Sequence, residues 1–266
     1  MSGFMMNGNL VLKDQFLNGC NTFTDCFSMK LSEENYRVSL NFSKFNKIDT
    51  SLNAKNLLHD VEHKYFETFK YNRRIHSFLL GRYSAKNAIT ALAGNEKNFT
   101  KILIKNGVFN QPIVDCETCK NIQVSLTHCD DLAAAIAFND MLILGIDIEK
   151  ASKRINREVE AVLTQCERDL SFRVPCSYRN FLLMIWTVKE SLSKVLKTGL
   201  TIPMHILEVR NIEELEGYCV STFANLPQYS AVSFIVQDYI CSITFPKNVE
   251  ICIDINRIKD NLYKIL

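Results

Sequence analysis

The sequence predicts an α+β fold built as two similar lobes, residues 1–140 and 141–266. Two observations carry that prediction. Stretches of helical period are followed by blocks of short strand-like runs, rather than alternating with them one for one. That order occurs twice along the 266 residues. No sequence repeat accompanies it, and the join falls near residues 139–144.

The elements follow in order. NLVLK (9–13) and FTDCFSMKL (23–31) read as strands, while 32–50 is polar without a clear period and reads as loop or irregular strand. From Asn53 the pattern turns helical, with Leu57, Leu58, Val61, Tyr65, Phe66 and Phe69 at three- and four-residue steps. A second helical stretch, Arg74–Ala93, stops at Gly94, a suitable C-terminal cap. Short strands follow: KILIK, QPIV, NIQVSL, AAAIAF and MLILGIDIE. The second half repeats the order, with helices over 155–172 and 178–197 and then ILEVR, YCVSTF, AVSFIVQ and YICSITF. The segment from Lys247 reads as an addition with a short terminal helix.

Composition excludes some classes. Hydrophobic residues make up 47% and charged residues 23%, as in ordinary globular chains. A net charge of +2 is too mild for a nucleic-acid footprint. No stretch approaches the length of a membrane helix. The opening residues lack a basic-then-apolar leader, so a cytoplasmic protein with mostly buried, reduced thiols among its ten cysteines is expected.

Two segments carry chemistry. In MLILGIDIEK an apolar strand presents Asp147 and Glu149 on one face, because strand side chains alternate. Paired carboxylates repel unless a cation sits between them, and oxygen-only ligands suit a hard ion such as magnesium. In NFLLMIWTVKESLSKVLKTGL, Trp186, Glu190 and Lys194 share one helix face, beside a stripe of Lys189, Ser193 and Lys197.

GIDIE (145–149) and WTVKESLSK (186–194) together resemble the 4′-phosphopantetheinyl transferase superfamily, whose pattern is G-(I/V)-D-x-E followed some forty or more residues later by W-x-x-K-E-(S/A)-x-x-K. RRIHSFLLGRYSAKNAI (73–89), NGVFNQPIV (106–114) and VSLTHCDDLAAAIAF (124–138) resemble further motifs of its surfactin-type subgroup, whose members are pseudo-dimers of two lobes. The resemblance covers roughly residues 55–245. It implies transfer of the 4′-phosphopantetheine arm of coenzyme A to a serine of an apo acyl or peptidyl carrier protein, by a monomeric holo-[acyl-carrier-protein] synthase. Asp147, Glu149 and Glu190 would hold Mg²⁺ or Mn²⁺. Glu190 would be the base, with Lys194 near the phosphates and Lys189 either contacting phosphate or orienting Glu190. Arg82, Lys86, Gln111, Pro112, Thr127 and His128 would contact coenzyme A, together with Asp147, Lys189 and Lys194.

This chain departs from the family pattern in having Gln111 where a lysine is common and Thr127 where a serine is. Three other readings compete. His59, Glu62 and His63 match the H-x-x-E-H pattern of some zinc peptidases. Cys116, Cys119, His128 and Cys129 offer a structural zinc set, against a default of free thiols. A carrier-binding module without catalysis would need no metal carboxylates.

Overall fold

A computed structural model describes residues 20–45, 50–151 and 159–266. β1 (Cys20–Leu31) and β2 (Glu34–Phe45) form a hairpin, followed by α1 (Thr50–Leu57), α2 (Asp60–Phe66) and α3 (Asn72–Ala93). Then come β3 (Leu103–Asn106), β4 (Pro112–Asp115), β5 (Ile122–Cys129), β6 (Leu132–Asn139) and β7 (Gly145–Lys150). α4 (Gln165–Leu170) and α5 (Tyr178–Val195) lead into β8 (Val209–Leu215), β9 (Tyr218–Phe223), β10 (Tyr229–Val236), β11 (Tyr239–Pro246) and β12 (Val249–Cys252). α6 (Ile255–Ile265) comes last.

The strands make two antiparallel five-stranded sheets, ordered β12-β1-β2-β6-β5 and β7-β11-β10-β9-β8, and a β3-β4 ribbon. Period-two alternation sorts their side chains into layers. Along β6, Leu132, Ala134, Ile136 and Phe138 enter a core between the two sheets. Ala133, Ala135 and Ala137 face α3 instead, and their small size lets the helix lie close. In the second sheet, Cys241 and Ile243 of β11 and Val232 and Phe234 of β10 enter the central core, while Ala231 and Ile240 pack under α5. α6 closes that core with Ile255, Ile258, Leu262 and Ile265, one stripe at helical spacing. The layers therefore run α3, sheet, sheet, α5. The approach of α5 to β7 is tight enough to require a glycine: a Cβ on Gly145 would meet the Ser191 carbonyl oxygen at 2.0 Å.

Several sequence expectations change. The stretch read as loop or irregular strand contains β2, a regular strand of 12 residues. Its alternation of Val38, Leu40 and Phe42 with Ser39, Asn41 and Ser43 is disguised because the polar face is buried too. The first helical stretch from Asn53 breaks into α1 and α2, the second is α3, and the expected 155–172 helix is interrupted at 163–164 and ends at Leu170. NLVLK and residues 152–158 lie outside the described residues. β12 pairs with β1, so the added tail joins the first sheet.

Two buried ion pairs brace the helices, and they are built alike. His59 caps α2, its Nδ1 accepting from Val61 N–H, while Glu62 reaches back to the His59 N–H at 3.0 Å. Glu62 also accepts from the Ile104 N–H at 3.2 Å and from the Lys86 ammonium. In the second half Thr164 and Glu167 cap α4, and Glu167 accepts from the Val209 N–H at 2.9 Å and from Lys189 Nζ at 2.8 Å. Ile104 and Val209 each follow their glutamate by 42 residues. Lys86 further donates to Leu57 O at 2.8 Å and Phe99 O at 3.0 Å, and Lys189 to Met204 O at 3.1 Å. Burying such charges is tolerable only because the lone pairs and protons are matched.

This arrangement corrects three expectations. Lys86, expected at coenzyme A, and Lys189, expected at phosphate or orienting Glu190, are buried braces whose ammonium groups face Glu62 and Glu167. The His59-Glu62-His63 pattern is a helix cap, with Glu62 committed to cations. Cys116 and Cys119, expected as free thiols or zinc ligands, are joined in a disulfide.

Candidate active site

The site forms where the edges of the two sheets meet, β5 from the first and β7 from the second. Ser125 Oγ accepts the Ile146 N–H at 3.2 Å, tying the edges together. Two residues on, Thr127 Oγ1 donates to Asp147 Oδ1 at 2.8 Å. Thr127, expected to touch coenzyme A, is thus a buried positioning group for a carboxylate. Ile146 and Ile148 fill the central core, so the alternation turns Asp147 and Glu149 to the opposite face, toward α5.

Helix α5 begins at a cap in which Ser177 Oγ accepts the Asn180 N–H at 3.2 Å. Its apolar residues Phe181, Leu182, Ile185, Val188 and Leu192 pack on the second sheet. This fixes the rotation of the helix and sends Trp186, Glu190 and Lys194 toward β7. Lys189, one residue and ~100° around from Glu190, is carried to the buried brace instead. Lys194 Nζ donates to Asp147 Oδ1 at 2.7 Å and to Ile146 O at 2.8 Å.

The electrostatics of the cluster are unbalanced. Asp147 is 4% exposed, and its Oδ2 is buried without a hydrogen-bond partner. Burial, and then the Asp147 charge, push Glu149 up to about 7. The same two causes push Glu190 up to about 7, against the pull of Lys194. His128 stands at the rim and is held below the ordinary imidazole value by desolvation first and the Lys194 ammonium second. Arg73 and His76 add positive potential at His128, a contribution not singled out from the sequence.

Does this set suit a hard divalent cation? The donors are all carboxylate oxygens, one is orphaned, and two are forced toward neutrality by burial and mutual repulsion. A cation would relieve all three conditions. Among the described residues, no three His, Cys, Asp or Glu side chains converge on one point as they stand. The Lys194 ammonium supplies the positive charge at Asp147 in this arrangement. The residues fit the ion chemically, with Lys194 as its local substitute.

Beside the cluster lies a cavity of about 280 Å³. Its walls bring together Arg82 from α3, Gln111 from the β3–β4 turn, Pro112 from the start of β4, and Glu190 and Lys194 from α5. Arg82 Nε lies 2.8 Å from Glu62 Oε1, its Nη2 donates to Ile104 O at 3.1 Å, and its guanidinium covers the Phe78 ring. Gln111 accepts the Phe109 N–H at 2.9 Å through Oε1. Lys86 and Lys189 do not line the cavity; Lys197, not picked out as a site residue in the sequence, does. Among the described residues, no helix is long and apolar enough to cross a membrane.

Residues 143–244 match the sequence model of the ACPS family, described as the 4′-phosphopantetheinyl transferase superfamily. The matched segment contains Asp147, Glu149, Glu190 and Lys194. Among solved structures, a holo-(acyl-carrier-protein) synthase from Bacillus anthracis str. Ames in complex with CoA (3′,5′-ADP) is similar at 21% identity, over 43% of this chain and 96% of that one, with a TM-score of 0.35. The holo-[acyl-carrier-protein] synthase of Thermotoga maritima is similar at 18% identity, over 50% of this chain and 74% of that one, with a TM-score of 0.32. No curated protein matches the sequence.

Proposed function

We propose that the protein transfers the 4′-phosphopantetheine arm of coenzyme A to a serine of an acyl or peptidyl carrier protein, releasing 3′,5′-ADP. The observation that carries this reading is the Asp147–Lys194–Glu190 cluster, which lies within the segment that matches the family. Asp147, Glu149 and Glu190 are the residues that would hold Mg²⁺. When bound, the ion would neutralise charge on the pyrophosphate oxygens.

The chain's own groups do the rest. Glu190, with its proton affinity raised to about 7, accepts the proton of the carrier serine hydroxyl. The serine oxygen bonds to phosphorus as the pyrophosphate P–O bond breaks, and the electron pair leaves with 3′,5′-ADP. Lys194 faces the developing charge, Arg82 and Pro112 wall the nucleotide cavity, and His128 stands over the same edge. Thr127 keeps Asp147 in place.

The repeated Glu–Lys brace supports a pseudo-dimeric, surfactin-type arrangement, with lobes 1–140 and 141–266 and the tail of the second returning to the first sheet. The orphaned Asp147 Oδ2 speaks against a carrier-binding module without catalysis, which gains nothing from an unsatisfied buried carboxylate.

The test is intact-mass analysis of several apo carrier proteins after incubation with the protein, coenzyme A and Mg²⁺. Addition of a phosphopantetheine to at least one is expected. No modification of any carrier would reject the reading.

A further inference from the structure

The end of α5 carries a feature that the proposed chemistry does not use. Lys197 follows the helix with φ of +56°. Its N–H donates to Lys194 O at 3.2 Å, and the Thr198 N–H closes on Ser193 O at 3.1 Å. These are the paired closures of a helix terminated by a left-handed residue, a place that favours glycine because a Cβ is strained there. The end of α3 follows that preference with Gly94, at φ of +72°. At α5 a lysine occupies the strained position.

Its surroundings give a reason. Lys197 lines the same cavity as Gln111, Glu190 and Lys194. The other two cations on that wall set each have a carboxylate beside them: Lys194 has Asp147 at 2.7 Å, and Arg82 has Glu62 at 2.8 Å, which it shares with Lys86. Lys197 Nζ instead donates to the neutral amide oxygen of Gln123 at 2.9 Å, and among the described residues no carboxylate pairs with it. Gln111, across the cavity, adds no charge, and its amide oxygen is taken by its own turn. Among the described residues, Lys197 is thus the cavity cation with no carboxylate paired to it, kept on a backbone that resists it.

We propose that Lys197 binds a phosphate of the nucleotide donor, and that this contact is why lysine persists in the left-handed position. Lys197 lies past the end of α5, three residues beyond Lys194 in sequence. We assign its partner to the monoester on the ribose, leaving the pyrophosphate to Lys194. The proposal rests on coenzyme A as donor.

The experiment compares wild type, Lys197→Gly and Lys197→Arg by calorimetric titration with coenzyme A and with 3′-dephospho-coenzyme A, alongside thermal melting. Lys197→Gly should melt about 2 °C higher, because the strain is gone. It should bind coenzyme A ~10-fold more weakly, having lost a charge-assisted bond. Lys197→Arg should keep affinity near wild type. Dephospho-coenzyme A should bind wild type and Lys197→Gly alike; if it too weakens on substitution, Lys197 still binds phosphate but at the pyrophosphate. Unchanged coenzyme A affinity in Lys197→Gly overturns the proposal, and a lowered melting temperature with unchanged affinity assigns Lys197 to structure alone. If wild type binds no coenzyme A, the functional reading fails first and this proposal falls with it.

Discussion

Asn41 and Asp147 are buried polar residues on strands beneath the two long helices, Asn41 on β2 under α3 and Asp147 on β7 under α5. Asn41 is fully satisfied. Its amide donates to Thr24 Oγ1 at 2.8 Å, Thr22 Oγ1 at 2.9 Å and Phe23 O at 3.2 Å, and its oxygen accepts from Ser43 and Ser84, each at 2.8 Å. Asp147 is charged, ringed by Glu149, Glu190 and Lys194, and has one oxygen with no partner. The bracing around both is the same, a capping glutamate held by a helix lysine. The difference teaches that the scaffold tolerates a neutral, closed network in one half, and in the other leaves a charged network open for a ligand to complete.

The largest way to break that comparison is to exchange the two residues. Asp147→Asn should lower transfer by at least ~10³-fold, the scale for losing a charged group matched to a phosphoryl-transfer site, while the protein still melts cooperatively. The reverse change, Asn41→Asp, should create no activity and destabilise by about 3 kcal/mol in a urea titration, because it buries an unpaired charge. Retention of transfer by Asp147→Asn would remove the carboxylate from the mechanism.

The braces should respond unequally. Lys189→Met leaves the buried Glu167 without its cation and should lose about 3–5 kcal/mol by denaturant unfolding, whereas Lys86→Met leaves Glu62 paired with Arg82 and should lose less. Loss of turnover in Lys189→Met at full stability would return Lys189 to the phosphates.

The carboxylates near β7 should also make the metal-free protein pH-sensitive. Glu149 and Glu190 are raised from 4.5 to about 7 in the fold, so the unfolded chain releases these protons first. Stability should therefore fall as pH rises from about 4.5 to 7. Added Mg²⁺ should remove most of that decline in melting curves recorded across the range. The effect should disappear in the Glu149→Gln, Glu190→Gln double variant. A smaller change is expected at the cavity rim, where Gln111→Lys should tighten coenzyme A binding by roughly 5-fold through one added charge–phosphate contact; unchanged affinity in a titration would reject that role.

Much of this was legible in the sequence where pattern and chemistry coincide. α5 was readable from its period, and Asp147 and Glu149 from strand alternation beside an apolar run. The braces of Lys86 and Lys189 were hidden because their partners, Glu62 and Glu167, lie more than twenty positions away; Glu62 stood out only as part of a metal motif and Glu167 not at all. β2 was hidden because its polar face is satisfied by Thr22, Ser43 and Ser84, partners known only from the fold. Lys197 carried no sequence signal as a site residue, since its left-handed backbone and its neighbour Gln123 emerge only when the two sheet edges meet.

The central claim is that Asp147 and its neighbouring acids support metal-dependent transfer from coenzyme A. Its most direct measurement is single-turnover release of 3′,5′-ADP with an apo carrier accepted by the wild-type protein, followed with Mg²⁺, with excess chelator, and with Asp147→Asn. The account predicts release matched by carrier modification only for wild type with Mg²⁺. Equal release in chelator, or from Asp147→Asn, would contradict it.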